Sequence, residues 1–392
     1  MGSWMKVKLA QVCSSVSDGD HLPPPKCESG VPFVTISDIR NNRFDLANTR
    51  FVPKAYFDAI DEKRRIRKGD VLYSVVGSYG IPVYADKDMD IAFQRHIAIL
   101  KPGKEVVSRY LYYSLLNPAF YNAADNVAIG AAQKTITLSA LRNLEIPLPP
   151  LSIQRRIADI LSAYDNLIEN NRRRIAILEE TARLTYRKWF GGPEQGRTAT
   201  LGEVCQSFGG GTPKTSVPEF WDGDIPWVVP TDITRNTCLA VLYTERKISE
   251  LGLQKSSAKM LPANAILMTS RASVGYFGIA DFPVCTNQGF ISIIPNDDAW
   301  RWYLLFNLMS RVEEIRSNAK GSTFPEISRA RFRSMDVAIP EDNALIEFNG
   351  VVEPLMQQVR VLAKQNATLA TARDMLLPRL MSGEEKLLNK EI

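Results

Sequence analysis

The strongest constraint on the fold is that the sequence repeats itself once. Segments of the first half recur in the same order in the second half, and partners stay about 191 to 195 residues apart. The pairs are LAQVC (9–13) with LGEVC (201–205), VPFVTISDI (31–39) with IPWVVPTDI (225–233), GDVLYSVVGSYGIPVYA (69–85) with NAILMTSRASVGYFGIA (264–280), YLYYSLL (110–116) with YLLFNLM (303–309), and NLEIPLP (143–149) with SMDVAIP (334–340). Ordered matches at nearly one offset indicate a tandem duplication, and each copy is long enough to form a domain rather than a solenoid repeat.

Each copy is predicted to be a mixed α/β domain. Runs such as VPFVTI, DVLYSVV and FISIIP are rich in β-branched and aromatic residues and are bounded by Gly, Pro or Asp, which is typical of strands. Helical periodicity is present near residues 108–124 and 299–318. The length of 392 residues allows two or three domains, each with a proper core.

A long helix is predicted after each copy. The first runs from about Ser152 to Phe190, where a Gly-Gly-Pro sequence ends it, and would span roughly 55 Å. Residues at alternating four- and three-residue steps form a mostly apolar stripe on each helix: Ile157, Leu161, Tyr164, Ile168, Asn171, Ile175, Leu178, Ala182, Thr185 and Trp189 on the first, and Phe348, Val352, Leu355, Val359, Leu362, Asn366, Leu369, Arg373, Leu376 and Leu380 on the second. This sustained 3.5-residue periodicity predicts a coiled-coil seam, in which Asn171 and Asn366 would fix the register.

The predicted fold class is therefore mixed α/β (α+β), with two globular domains in tandem repeat separated by two long helices that form an antiparallel coiled coil. The predicted boundaries are 1–150 for the first domain, 151–192 for the first helix, 193–340 for the second domain and 341–392 for the second helix. Long amphipathic helices need a partner, and an antiparallel pair would place the two domains at opposite ends. The alternative is that each helix only covers the core of its own domain.

Composition and charge limit the class of protein. A net charge of +5 and a pI near 8.8 give a mild basic bias, which is compatible with binding an anionic polymer. Five cysteines without a CxxC pair favour a reducing cytosol over a zinc ribbon or a disulfide framework. Residues 1–20 do not resemble a signal peptide, and no stretch approaches the ~18 apolar residues that span a bilayer. We therefore expect a cytoplasmic protein without a membrane partner.

Patterns typical of catalytic sites are missing or weak. With only two histidines, His21 and His96, a histidine-based triad or metal cluster is not expected. The GGGTPK segment (209–214) lacks the spacing of a P-loop, and is interpreted as a loop that touches DNA or simply turns. Asp232 with Glu245-Arg246-Lys247 resembles a nuclease pattern only loosely, and no methyltransferase signature is found. The sequence thus predicts a protein that is not an enzyme.

Three longer segments resemble one protein family, the DNA-specificity subunits of type I restriction–modification systems. The central helix of these subunits is similar to LPPLSIQRRIADILSAYDNLIENNRRRIAILEETARLTYRKWFG (148–191). The start of their target-recognition domains is similar to GGGTPKTSVPEFWDGDIPWVVPTDI (209–233), and the end of their distal helix to LLPRLMSGE (376–384). There are two departures: the second helix begins through IPEDNALIEF rather than a PLPPLxxQ-type sequence, and the first domain has SDGDHLPPPK in place of a GGTP segment.

The resemblance covers essentially the whole chain and implies a non-catalytic subunit without a cofactor of its own. Each target-recognition domain would read one half of a split site in double-stranded DNA. The helices would set the spacing between the halves and dock two methyltransferase subunits, and restriction subunits would join that complex. S-adenosylmethionine, ATP and Mg²⁺ are expected only on these partner subunits.

Candidate DNA-binding residues follow from the requirements of base reading, which needs polar side chains on loops that can enter a groove. Three such groups lie in each domain, at matching positions next to glycines or strand ends. They are Ser78 and Tyr79, then Gln94, Arg95 and His96, then Gln133, Lys134 and Thr135 in the first domain, and Arg271 and Ser273, then Asn287 and Gln288, then Lys320, Ser322 and Thr323 in the second. Each of these could instead be an ordinary turn residue.

Two other functions stay open on the sequence alone. A free-standing restriction enzyme would show cofactor-dependent cleavage by the isolated chain. A coiled-coil scaffold would lack sequence-selective DNA binding. Tryptophans such as Trp221 and Trp227 are expected in the core or at subunit-docking surfaces.

Overall fold

The structure is a computed structural model that describes residues 4–21, 23–131, 133–192, 197–321 and 325–383. The chain forms two compact units, the first made of Met1–Asn166 with Leu369–Ile392 and the second of Leu167–Thr368. No helix in the described part of the chain combines the length and the apolar character that crossing a bilayer would require.

The first unit contains a globular α/β part followed by the start of a long helix. Its strands are β1 (Lys6–Lys8), β2 (Cys13–Asp18), β3 (Val31–Val34), β4 (Ile39–Arg40), β5 (Arg43–Phe44), β6 (Arg50–Val52), β7 (Val71–Ser74), β8 (Pro82–Tyr84), β9 (Ala92–Phe93), β10 (Ile97–Pro102) and β11 (Glu145–Pro147). Its helices are α1 (Leu9–Val12), α2 (Lys54–Asp58), α3 (Ser108–Leu116), α4 (Pro118–Asn126), α5 (Leu138–Asn143) and the first part of the long α6 (Leu151–Phe190).

The main sheet of the first unit is antiparallel, with the strand order β2-β10-β7-β8. All four residues of β7 are buried, because the sheet is covered on both faces. A second sheet, of order β6-β3-β9, pairs β3 in parallel with β9. Tyr73, Tyr110 and Tyr113 are fully buried in the core, where the Tyr110 hydroxyl donates to the Pro147 carbonyl at 2.7 Å.

The second unit repeats this plan. Its strands are β12 (Thr198–Thr200), β13 (Cys205–Gly209), β14 (Trp221–Val228), β15 (Ala240–Val241), β16 (Arg246–Ile248), β17 (Ile266–Thr269), β18 (Phe277–Ala280), β19 (Cys285–Thr286), β20 (Phe290–Pro295) and β21 (Asp336–Ala338). Its helices, besides the end of α6, are α7 (Leu201–Val204), α8 (Pro230–Thr234), α9 (Glu250–Gln254), α10 (Arg301–Ser310), α11 (Val312–Ser317), α12 (Arg329–Arg333) and most of the long α13 (Asp342–Ser382).

The strand order of the first unit recurs in the second, where one further strand, β15, pairs in parallel with β18 at the edge of the main sheet. The main sheet of the second unit runs β13-β20-β17-β18-β15, and its second sheet runs β16-β14-β19, again with one parallel pair between β14 and β19. Even single contacts recur, since the Tyr303 hydroxyl donates to the Ala338 carbonyl at 2.8 Å as Tyr110 does to Pro147. The duplication seen in the sequence is therefore a duplication of the fold.

The long helices pack antiparallel within each unit. In the first unit, Asp165 of α6 accepts hydrogen bonds from Arg373 of α13 and from the Tyr113 hydroxyl of α3, both at 2.6 Å. In the second unit, the rings of Phe190 and Phe348 lie 5.1 Å apart, edge to face. Each globular part thus packs on one end of both helices, which buries the apolar stripe of α6 and α13.

The residues of the predicted seam lie on this inner side. They are buried at Ile157, Leu161, Ile168, Asn171, Ile175, Ala182, Phe348, Val352, Val359, Leu362 and Leu380, and half-buried at Tyr164, Leu178, Thr185, Trp189, Leu355, Asn366, Leu369, Arg373 and Leu376. The Asn171 amide approaches the Gln365 side chain at 3.5 Å, and the buried Oδ1 of Asn366 has no hydrogen-bond partner among the described residues.

Gln154 explains the sequence pattern at the start of α6. Its buried side chain accepts a hydrogen bond from the Val107 backbone at 2.8 Å and donates to the carbonyls of Glu105 and Pro149. These bonds join the first turn of α6 to the loop before α3. The equivalent position of α13 is Leu345, which is buried among apolar side chains instead. The different sequence at the start of the second helix thus keeps the packing but changes its chemistry.

Candidate nucleic-acid interface

Backbone hydrogen bonds bring the three candidate groups of the first unit together at one end of the main sheet. Val75 donates to the His96 carbonyl at 2.9 Å, so the turn after β7 lies beside the turn before β10. Gly77 donates to the Lys134 carbonyl at 3.1 Å, which adds the segment before α5. The loop after β2 also joins, because Arg95 donates to the Asp20 carbonyl at 3.0 Å. This last loop was not among the predicted groups.

We call this cluster of loops in the first unit the first site. Its candidate side chains differ in their exposure to solvent. Ser78, Arg95, Gln133 and Lys134 are exposed, whereas Tyr79, Gln94, His96 and Thr135 are half-buried. Burial, with a smaller contribution from the charge of Arg95, lowers the pKa of His96 below its ordinary value. The imidazole is therefore neutral at physiological pH and offers one donor and one acceptor.

Asp125 of α4 engages two of these side chains. Its carboxylate accepts a hydrogen bond from the Tyr79 hydroxyl and lies 2.7 Å from the Lys134 ammonium. These two hydrogen bonds, from Lys134 first and Tyr79 second, hold the pKa of Asp125 below its ordinary range. The Tyr79 ring also stacks on Tyr121 with centroids 6.0 Å apart. Sequence reasoning missed Asp125, since it lies 46 residues from Tyr79.

The loop after β2 carries acidic groups that are partly neutralised. Asp20 accepts hydrogen bonds from Arg64 at 3.1 Å and from the Tyr56 hydroxyl at 2.5 Å. Asp18 bonds to His21 at 2.9 Å. This part of the first site therefore combines carboxylates with one arginine.

The second unit gathers its loops in the same way. Ser270 donates to the Gly289 carbonyl at 2.8 Å, and Ile327 donates to the Ser270 carbonyl at 3.0 Å. The turn after β17 is tight, with Ala272 at a φ of +61° and its N–H bonded to the Pro325 carbonyl. The turn after β17, the turn after β19 and the segment before α12 therefore form one cluster of loops.

The predicted residues of this cluster are mostly at the surface. Arg271, Ser273, Gln288 and Lys320 are exposed and Asn287 is half-buried, while Ser322 and Thr323 lie outside the described residues. The Arg271 guanidinium lies 3.8 Å from the Glu326 carboxylate, which is a weak, exposed ion pair.

The glycine segment 209–214 is the fourth loop of this cluster. Gly211 donates to the Thr286 carbonyl at 2.9 Å, and the Thr212 hydroxyl donates to the Gln288 side chain. A side chain at position 210 would come within 2.0 Å of the Asn287 carbonyl, so the close approach requires glycine. Gly19 lies against Phe93 in the same way in the first unit. The SDGD loop thus occupies the place of the glycine loop, although the sequences differ.

Asp232, the carboxylate of the weak nuclease-like pattern, stabilises the local structure of the second unit. The Asp232 carboxylate accepts hydrogen bonds from the backbone of Val229 at 2.8 Å and of Glu245 at 3.2 Å, so it caps α8 and orders the turn before β16. Within the described ranges, no group of three or more His, Cys, Asp or Glu side chains could hold a metal ion.

Comparison with known proteins shows the family and the fold of the chain. The family model "type I restriction modification DNA specificity domain" matches residues 1–180 and 193–359, one match in each half of the chain. The specificity subunit of the type I restriction enzyme MjaIX from Methanocaldococcus jannaschii is 35% identical over 173 residues, which are 42% of this chain and 39% of that protein. The HindI specificity subunit from Haemophilus influenzae is 22% identical over 98% of this chain and 100% of its own length.

One solved structure shows the same fold along the chain. The crystal structure of the S subunit of a type I restriction–modification system from M. genitalium superimposes with a TM-score of 0.56 at 19% identity, covering 96% of each chain. The predicted fold class, two α/β domains in tandem with long helices, is thus confirmed. Because the family model matches both halves of the sequence, the chain belongs to the family of type I restriction–modification DNA specificity proteins.

Proposed function

We propose that this chain gives a type I restriction–modification complex its DNA sequence specificity by reading a two-part target. The first unit would read one half of the site and the second unit the other. Function as a non-catalytic specificity subunit follows from family membership, and neither a free-standing restriction enzyme nor a scaffold without DNA specificity is favoured.

The observation that carries this proposal is the recurrence of one loop cluster in two copies of one fold. In each unit, turns from three places in the sequence meet a fourth loop at the end of the main sheet, through hydrogen bonds such as Gly77 to Lys134 and Ser270 to Gly289. A cluster of polar loops on a rigid sheet suits base reading, because several side chains can approach successive base pairs from fixed positions. Two such clusters with different residues would recognise two different half-sites.

The long helices are proposed to separate the half-sites and to bind the partner subunits. A helix of 40 residues such as α6 measures about 60 Å, which is more than one turn of DNA at about 34–36 Å. Two methyltransferase subunits would dock on these helices, and restriction subunits would join them. S-adenosylmethionine, ATP and Mg²⁺ would bind to those partners, and the complex would act in the cytoplasm.

Mapping of methylated bases tests the proposal directly. Genomic DNA is compared between a host that carries this gene with its methyltransferase partner and a host that carries the partner alone. We expect a gene-dependent motif of two short specific halves around a fixed nonspecific gap. A continuous motif would contradict two separate readers, and an unchanged methylation pattern, with expression of both proteins verified, would contradict the function itself.

A further inference from the structure

Arg246, at the start of β16, is held in place by two tryptophan rings of the second unit. Its guanidinium carbon lies 3.7 Å from the centroid of Trp221 and 5.5 Å from that of Trp227. Both rings are buried and meet edge to face with centroids 5.0 Å apart. Arg246 itself is exposed. Stacking on two fixed rings restricts the motion of the guanidinium before any ligand binds.

The charged end of Arg246 is available to an anion. Arg246 forms no ion pair with any residue that the structure describes. Its neighbour Lys247 lies on the opposite face of the strand, because side chains alternate along β16. Glu245 precedes the strand, and its backbone N–H donates to the Asp232 carboxylate at 3.2 Å. Asp222 and Asp224 lie in a bulge of β14 that faces Ile248, at the other end of the strand. The guanidinium therefore keeps donors free in a fixed orientation.

The same two rings support the loop cluster of the second unit. The indole N–H of Trp227 donates to the Gly211 carbonyl at 2.9 Å, and that of Trp221 donates to the Lys214 carbonyl at 3.2 Å. The loop fixed in this way carries Thr212, which bonds to the candidate base reader Gln288. Arg246 thus belongs to the same rigid assembly as Gln288, but it lies on the opposite side of β14.

The register of the first unit provides a second arginine at the matching position. Arg50 at the start of β6 pairs with Phe33 of β3, as Arg246 pairs with Trp227 of β14. Arg50 is also exposed. A cation at the edge of the second sheet is therefore common to both copies of the fold, whereas the loops that would read bases differ.

From these observations we propose that Arg246 binds a phosphate of the DNA backbone and so positions the second unit on its half-site. The proposal rests on the proposed DNA-reading function. A planar guanidinium matches two phosphate oxygens, and its place beside rather than among the candidate readers suits a backbone contact, which sets register without reading sequence.

The test measures binding by the full-length chain assembled with its methyltransferase subunits. Two duplexes are used, one with the mapped target and one with the second half-site scrambled, over a series of salt concentrations. Arg246→Gln is expected to bind both duplexes about tenfold more weakly. The slope of log K against log salt should become less steep by about 0.9, the value for one lost phosphate contact.

Two further variants separate the phosphate contact from charge and folding effects. Lys247→Gln removes the same charge from the opposite face and should change the slope much less. Arg246→Lys keeps the charge and should keep the wild-type slope, whereas a slope reduced as in Arg246→Gln would indicate loosened tryptophans and overturn the assignment. Unchanged binding by Arg246→Gln, or a loss confined to the target duplex, would also overturn it. If the wild type itself does not distinguish the duplexes, the proposed function fails first, independently of Arg246.

Discussion

Asp125 keeps two candidate DNA-binding side chains of the first unit occupied in the absence of DNA. Its carboxylate lies 2.7 Å from the Lys134 ammonium and also accepts from the Tyr79 hydroxyl. A DNA phosphate must compete with this carboxylate and is repelled by it. We therefore expect Asp125→Asn to bind nonspecific DNA more tightly, with a salt slope steeper by up to about 0.9.

A matched variant checks the Asp125 prediction. Asp58→Asn removes the same charge from another exposed ion pair, formed with Lys54 outside the candidate loops. Binding to a nonspecific duplex is measured over a salt series for both variants and the wild type. Equal slopes for Asp125→Asn and Asp58→Asn would contradict a specific role of Asp125.

At the residue scale, the sequence was sufficient to identify the candidate DNA-binding loops, but not the side chains that pair with the residues of these loops. The candidates were found because polar residues stand next to glycines at matching positions of both copies, and their backbone segments do meet in each unit. Asp125 and Glu326 reach them through contacts that no local pattern encodes. Their roles as DNA contacts stay predictions until binding is measured.

Glu179 joins α6 to the strand region of the second unit through a buried carboxyl group. Its Oε1 accepts a hydrogen bond from the Leu239 backbone at 2.6 Å. Burial raises the pKa of Glu179 to about 7, against the opposing effects of the Leu239 hydrogen bond and of Arg183. Because the folded-state pKa is raised, its contribution to stability is fully present below about pH 4.5 and is lost as the pH rises through about 7.

Glu179→Gln should remove this pH dependence while keeping an acceptor for Leu239. The free energy of unfolding of the variant, relative to the wild type, should increase by up to about 3 kcal/mol between pH ~5 and ~8. Urea unfolding at several pH values measures it. Glu180→Gln is the control, since the Glu180 side chain is 47% exposed. A pH-independent difference for Glu179→Gln would contradict the buried ionisation.

Asp165 joins three helices of the first unit. It accepts hydrogen bonds from Tyr113 of α3 and Arg373 of α13, and both ionic side chains are 19% exposed. Asp165→Asn should lower the free energy of unfolding by about 3 kcal/mol, because Arg373 loses a half-buried ionic partner and, among the described residues, keeps its exposed ion pair with Asp374. Tyr113→Phe should cost about 1 kcal/mol.

Chemical denaturation of the single and double variants measures this coupling. Non-additive losses are expected, because both substitutions act on one network. Arg173→Gln, which breaks an exposed pair with Glu169 on the same helix, should change stability little. Additive losses at Asp165 and Tyr113 would contradict a shared network.

At the element scale, long periodic segments were predictable and short ones were not. The start and end of α6 lie within one residue of the range predicted from its heptads and its Gly-Gly-Pro end. Strands of two residues such as β15 and β19 have no sequence signal, because their pairing depends on partners far along the chain. The predicted domain boundaries differ from the compact units, which divide at Asn166 and Thr368 inside the helices.

At the scale of the whole molecule, the duplication gives two copies of one fold that carry different side chains in their loops. Beside β9, the chain carries Asp18 at the end of β2 and Asp20 just after it, whereas beside β19 the end of β13 continues into a run of three glycines. Both fill the same place on the fold because each has a glycine where the backbone approaches most closely. The fold can therefore stay the same while the loop residues change, so that each unit can recognise its own DNA half-site.

The two units are expected to read their half-sites independently of each other. Asn287→Ala with Gln288→Ala should relax the methylated motif at one half-site only, because a lost base contact costs about 1–3 kcal/mol of discrimination at its own position. Gln94→Ala with Arg95→Ala is the matched change in the first unit and should relax the other half-site. Methylated bases are mapped for the wild type and both variants, with thermal unfolding as a check of folding. Since the substituted turns lie in separate loop clusters, equal losses at both halves in a folded variant would mean that the units do not read separately.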